Sequence, residues 1–165
     1  MTDMKSLEAR IKRLEDMEAI RNLKHRYFRF VDCKQWDELA ACFAEDAVAD
    51  YSDGRFHLQG ANEIMSFLRT SLERVTFVTA HFGHHPEIEV TGDATATGIW
   101  QLYSPMIDTK SGTASLLAAF YHDTYIKIDG EWKIQATGTT TLFQESWRTT
   151  DIESFKLTVP AGFDA

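Results

Sequence analysis

Histidine is the side chain best suited to moving a proton near neutral pH, and His81 lies in the run VTAHFGHHPEIEV. Strand alternation would put Phe77, Thr79 and His81 on one face and Val78, Ala80 and Phe82 on the other. A carboxylate on one ring nitrogen would fix the tautomer and leave the other nitrogen as the base. Asp32 is the candidate partner, because it ends a strongly apolar segment where a lone carboxylate is costly. Two plainer roles stay open from the residues alone: Asp32 can cap the following helix, and His81 can satisfy a backbone acceptor. Tyr27 and Tyr51 can position or polarise a substrate oxygen, or pack in the core with their hydroxyls bonded. Tyr121 and Tyr125 alternate with Asp123 on one strand face, which can line a cavity or meet solvent.

His84 and His85 invite a metal reading. Adjacent strand residues point to opposite faces, so the two rings cannot converge on one ion with regular geometry. No Cys cluster and no His-Glu-x-x-His motif adds further ligands. No metal or cofactor is therefore expected. The pair should sit at a strand end or bulge before Pro86, with His84 near a cavity mouth. No nucleophile elbow and no glycine-rich phosphate loop is present.

The elements that must position these groups follow from periodicity. Residues 5–31 lack Pro and Gly and form one long helix or two abutting ones. Leu7, Ile11 and Leu14 open an apolar stripe that continues, slightly rotated, through Met17, Ile20, Leu23 and Tyr27. A second helix is expected over 34–43, two short strands around Asp53-Gly54, and a third helix over 61–74. Period-two strands then cover about 77–90, 95–103, 114–128 and 132–143. Their connections, at Gly92-Asp93, Ser111-Gly112 and Asp129-Gly130, are too short for crossover helices, so these strands should pair antiparallel. The result is an α+β domain in which helices close one face of a bent sheet, leaving an interior and a mouth.

A chain of 165 residues suits one domain, and a hydrophobic fraction of 44% with 11 Phe, 5 Tyr and 4 Trp can fill a core and line a cavity. The net charge of -8 argues against nucleic acid or an anionic membrane as a partner. The basic residues Lys5, Arg10, Lys12 and Arg13 are diluted by Glu8, Glu15, Asp16 and Glu18, as on a solvated helix face. Two cysteines, Cys33 and Cys42, are too few for a disulfide framework. With a charged start and no long apolar run, the expected location is cytoplasmic.

The chain resembles the SnoaL-like division of the nuclear transport factor 2-like fold, and within it the bile acid 7α-dehydratase group. The stretches that carry the resemblance are EAIRNLKHRYFRFVD, KQWDEL, YSDG, HFGHHPEI, TATGIW, FYHDTYIKIDGEW and ATG, in order across about 17–145. The resemblance implies a single domain over 1–165, cone-shaped, with a curved mixed or mainly antiparallel sheet wrapped by N-terminal helices around an apolar pocket. It also implies an Asp–His proton-abstracting pair, as in the similar scytalone dehydratases and hexachlorocyclohexane dehydrochlorinases. That pair falls on Asp32 and His81, with the helix tyrosine at Tyr27 and the next tyrosine at Tyr51. Substrate contacts would come from Tyr51, His84, Ser104, Tyr121 and Thr141. Two of these positions depart from the bile acid group: Ser104 stands where that group has an acidic residue, and Thr141 where it has an arginine. Threonine cannot replace that charge.

The expected function is a cofactor-independent dehydratase-type lyase acting on a small hydrophobic ring-containing molecule. A ketosteroid-type isomerase or a polyketide cyclase would share the first step, and a non-enzymatic binding module is the rival of a different class. A homo-oligomer is expected, a trimer ahead of a dimer. The apolar residues Val78, Phe82, Trp100, Phe120 and Ile126 would lie on the sheet side away from the pocket.

Overall fold

The computed structural model describes residues 3–159. A single helix α1, Met4–Asp32, carries the N-terminal segment without a break. Its buried stripe begins at Asp16 and runs through Ile20, Leu23, Lys24, Tyr27, Phe28 and Val31. The expected inward stripe at Leu7, Ile11 and Leu14 is instead exposed, and the buried face of α1 starts only at Asp16. Asp16 is not on a solvated face either. It is buried, accepts hydrogen bonds from the Lys127 ammonium and from Trp132 Nε1 (3.0 Å), and so ties the helix to the far end of the sheet. Burial alone would raise the Asp16 pKa, but these two donors outweigh it and hold the carboxyl below its usual value.

The second helix, α2, covers only Trp36–Ala40. The chain turns at Ala41 and Cys42 and enters strand β1 at Phe43, earlier than helical spacing suggested, because Ile134 N–H donates to Cys42 C=O at 2.8 Å. Strand β1 (Phe43–Tyr51) forms a hairpin with β2 (Phe56–Gln59), and helix α3 (Ala61–Leu72) follows, burying Ile64, Met65 and Leu68. Strands β3 (Phe77–Thr79), β4 (Phe82–Val90), β5 (Thr95–Asp108), β6 (Thr113–Ile128) and β7 (Glu131–Arg148) complete the sheet.

The sheet runs in the order β2-β1-β7-β6-β5-β3, with β4 also paired to β5. The expected strand over 77–90 is two strands, interrupted at Ala80–His81, and both halves pair antiparallel with β5. The four later strands pair antiparallel as their short turns require, yet β1 lies parallel to β7. Short turns constrain only consecutive strands; β1 and β7 are separated by most of the chain, which leaves their direction free. The sheet is therefore mixed, curled into a half-barrel, and closed by the helices. Strands β5 and β7 run five residues past their expected ends at Tyr103 and Phe143, to Asp108 and Arg148, while β6 ends at Ile128 as expected. Among the described residues, no helix is long and apolar enough to cross a membrane.

Alternation along β5 places Ala96, Trp100, Leu102 and Ser104 inside, all buried, with Ile99 and Tyr103 outside. Trp100 thus belongs to the core and not to the outer face: its indole is fully enclosed and donates to Tyr125 at 2.9 Å. On β6 the inward row is Ala119, Tyr121, Asp123 and Tyr125, all buried. Gly83 on β4 is fixed by close approach, because a Cβ there would lie 2.1 Å from Cε2 of Phe28.

Candidate functional site

Asp32 is the last residue of α1, and the break between β3 and β4 brings His81 against it. Asp32 does not cap α2, whose N-cap is Gln35. Its carboxylate is bound from three directions. Oδ1 lies 2.6 Å from His81 Nδ1 and accepts the Thr79 hydroxyl at 3.0 Å, while Oδ2 accepts the His81 backbone N–H at 2.7 Å. The double contact with one residue fixes both the position of His81 and the side of its ring that meets the carboxylate. With Nδ1 committed to Asp32, the second nitrogen, Nε2, has no hydrogen-bond partner among the described residues.

Phe28 joins this pair to the interior. Its ring lies parallel to the His81 ring (10° between planes, centroids 6.4 Å apart) and contacts Tyr121 at 5.9 Å and Trp100 at 6.5 Å. Deeper in, the Tyr27 and Tyr51 hydroxyls lie 3.5 Å apart, and the Tyr121 ring stands edge-on to Tyr27 at 6.3 Å. Phe67 stacks on Tyr51 at 5.7 Å.

The other residues singled out in the sequence separate into two sets. Ser104 is on the inner face of β5 and buried, and its Oγ has no hydrogen-bond partner among the described residues. Thr141 is half-buried at the rim, where its backbone N–H donates to Asp53 Oδ1 at 2.7 Å. His84 is exposed and stacks on Phe82, facing a groove of about 330 Å³ between α1 and β4 that also reaches Asp32 and His81. His85 turns away to Gln101 Oε1 (3.1 Å) within a bulge ahead of Pro86. Among the described residues, no three His, Cys, Asp or Glu side chains converge as a metal site.

Two contributors, Thr79 and Lys24, were given no role from the sequence, and Asp123, noted there beside Tyr121 and Tyr125, faces the interior. Thr79 binds Asp32, although it shares a strand face with His81 and so could have been found. Lys24 is fully buried in the stripe between Leu23 and Tyr27, with Nζ 2.7 Å from Asp123 Oδ2. Asp123 also accepts the Tyr125 and Thr137 hydroxyls, each at 2.7 Å. The signal for Lys24 was its place on the apolar face of the helix, where a lysine needs a partner.

Burial pushes the phenols of Tyr27, Tyr51, Tyr121 and Tyr125 above their ordinary value of 10.0. The folded state therefore keeps these protons at a pH where the unfolded chain releases them. Their stabilisation is complete below about pH 10 and is lost as the pH rises, by up to about 1.4 kcal/mol per unit for each tyrosine. Burial lowers the Lys24 pKa from 10.5 despite Asp123, so this one group acts in the opposite sense. Four groups outweigh one. Urea midpoints are expected to fall steadily from about pH 10 to about pH 12, and a flat profile would contradict the buried placement of the tyrosines.

Comparison with known proteins matches the fold and this order of elements. The profile of the SnoaL-like domain family matches residues 12–138. A hexachlorocyclohexane dehydrochlorinase of type 3 from Novosphingobium barchaimii is 19% identical, with a TM-score of 0.77 over 91% of this chain and 99% of that one. A protein provisionally assigned as a scytalone dehydratase, from Novosphingobium aromaticivorans, is 23% identical, with a TM-score of 0.75 over 90% and 95% of the two chains. An NTF2-like protein with a cystatin-like fold from the same organism is 24% identical, with a TM-score of 0.72 over 86% and 92%.

Proposed function

Since the chain belongs to the SnoaL-like domain family, we propose that it is a cofactor-independent lyase expelling water, or another leaving group, from a hydrophobic ring-containing substrate. The observation that carries this reading is the Asp32–His81 pair, held at 2.6 Å with Nε2 unpartnered among the described residues. In this reading Nε2 takes a proton from a carbon next to a carbonyl. The electron pair left on that carbon forms the new double bond as the leaving group departs, and Asp32 stabilises the imidazolium. Nε2 then gives its proton to the departing oxygen, so that water leaves and the neutral histidine is restored. Tyr27 and Tyr51 donate to the carbonyl oxygen as negative charge builds on it, joined by Tyr121, whose ring stands edge-on to Tyr27 in the same cluster. No cofactor is needed for these steps.

Fold neighbours named for dehydration and dehydrochlorination support elimination as the reaction type. Ser104 and Thr141, standing where an acid and an arginine occur in the bile acid group, support a neutral substrate. The test is a panel of neutral cyclic β-hydroxyketones in deuterated water. Loss of water is expected, with the proton next to the carbonyl lost to solvent and no deuterium entering at any other carbon. Exchange of deuterium next to the carbonyl without loss of water would instead indicate enolisation alone, the first step of an isomerase. Tight binding of the same ring compounds with neither exchange nor turnover would indicate a binding module.

The outer sheet face supports assembly as a homotrimer. Cross-strand pairing aligns Phe82, Tyr103, Ala118 and Phe143 in one row, and Phe82, Tyr103 and Phe143 are each close to half exposed. Ile99 and Trp147 extend the same apolar surface. Sedimentation equilibrium is expected to give a trimer at micromolar concentration; a persistent monomer would overturn the assignment, and a dimer would correct its order.

A further inference from the structure

We propose that Lys24 is a positioning residue for the oxygen-binding tyrosines: a fixed buried cation that strengthens Tyr27 and Tyr121 as hydrogen-bond donors to a developing oxyanion. The inference rests on the reading of the tyrosine cluster as the carbonyl-binding site and adds to it the group that tunes that site.

The geometry is specific. Lys24 has no exposure, and its Nζ lies 3.7 Å from the centroid of Tyr121, 4.6 Å from that of Tyr27 and 5.2 Å from that of Phe28. All three are within reach of a cation–π attraction. Asp123 Oδ2 sits 2.7 Å from Nζ, an ion pair closed off from solvent on both sides. Asp123 is itself anchored by Tyr125 and Thr137, and Tyr125 by the Trp100 indole. The pair therefore forms an oriented dipole with its positive end against the tyrosine rings.

A phenol that donates its proton more fully carries more negative charge in its ring. A cation held over the ring face favours that state over the resting phenol. The same positive charge lowers the energy of an anion bound at the hydroxyls, and in a dry interior neither effect is screened. Packing alone does not call for this arrangement, since an apolar pair of similar size is commonly as stable as a buried ion pair. The tyrosine cluster also lies between two charged pairs. Asp123 acts on Tyr51 and Tyr121 from one side and Asp32 acts on Tyr121 from the other, both raising their pKa values along with burial. Lys24 supplies the opposite sign, against the rings of Tyr121 and Tyr27.

The experiment uses 2-naphthol, whose neutral and ionised forms fluoresce differently, and naphthalene, which lacks the oxygen. The full-length wild type is compared with Lys24→Arg and with the double variant Lys24→Met/Asp123→Asn, which leaves no unpaired buried charge. Wild type is expected to bind naphtholate at least tenfold more tightly than the double variant does, with naphthalene affinity changed less than twofold. Lys24→Arg should recover part of the difference. Equal losses for both probes, or no preference for naphtholate in wild type, would overturn the role of Lys24. Because neither probe reacts, this outcome is read separately from elimination through His81, and either reading can fail alone.

Discussion

Replacing His81 by alanine is expected to lower turnover about a hundred- to ten-thousandfold, the usual contribution of a positioned proton-transfer group. The fold should survive, because the His81 side chain is near the surface end of the site and its backbone N–H, which Asp32 binds, remains. Asp32→Asn should also be severe: the amide can still accept from the backbone but no longer carries the charge that balances an imidazolium. The discriminating measurement is kcat beside KM on an eliminated substrate. Loss concentrated in kcat is the expected result, since Nε2 acts on the bond that breaks. A variant that loses affinity but keeps kcat would make His81 a binding group and remove the proposed mechanism.

Asp123→Ala is expected to be the most destabilising change on the inner face of the sheet, by about 3–5 kcal/mol, because it leaves Lys24 buried without its counter-charge. It also removes the acceptor for the Tyr125 and Thr137 hydroxyls. The urea midpoint should drop accordingly, and combining it with Lys24→Met should recover a substantial part, since no lone charge then remains. If the double variant is as unstable as the single, the loss comes from the two hydroxyls and not from the lysine. The cycle of both singles and the double separates these terms.

The sequence made the candidate pair legible because both members break an expectation: Asp32 closes an apolar helix, and His81 alternates with aromatic and β-branched residues on a strand. The antiparallel strands were readable from the same kind of local signal, short turns with glycine. What escaped was set by distance along the chain. Nothing local shows that β1 pairs with β7, or that the two halves of 77–90 part at Ala80 to turn His81 toward the helix end. Lys24 looked like an ordinary helix charge and Asp123 could face cavity or solvent, and only the folded chain makes them a pair across 99 residues. The facing of Trp100 was misjudged for a related reason. The interruption at Ala80–His81 and the bulge at His85 shift the inward row on β4, so its alternation does not carry over to β5.

The parallel pairing of β1 with β7 has a kinetic consequence. Val48 finds its partner at Ala136 and Asp50 its partner at Gly138, so the first strand waits on the ribosome until the last has been made. Until then the β1–β2 hairpin has an open edge and α3 has no finished sheet to cover. Folding dominated by such distant contacts is slow, on the order of milliseconds to seconds. The site inherits that timing. Tyr51 ends β1 and Tyr121 sits on β6, beside β7, so the tyrosine cluster closes in the same step that seals the sheet. Unfinished chains therefore expose apolar strand edges, and the interval before β7 emerges is when this protein is most open to aggregation.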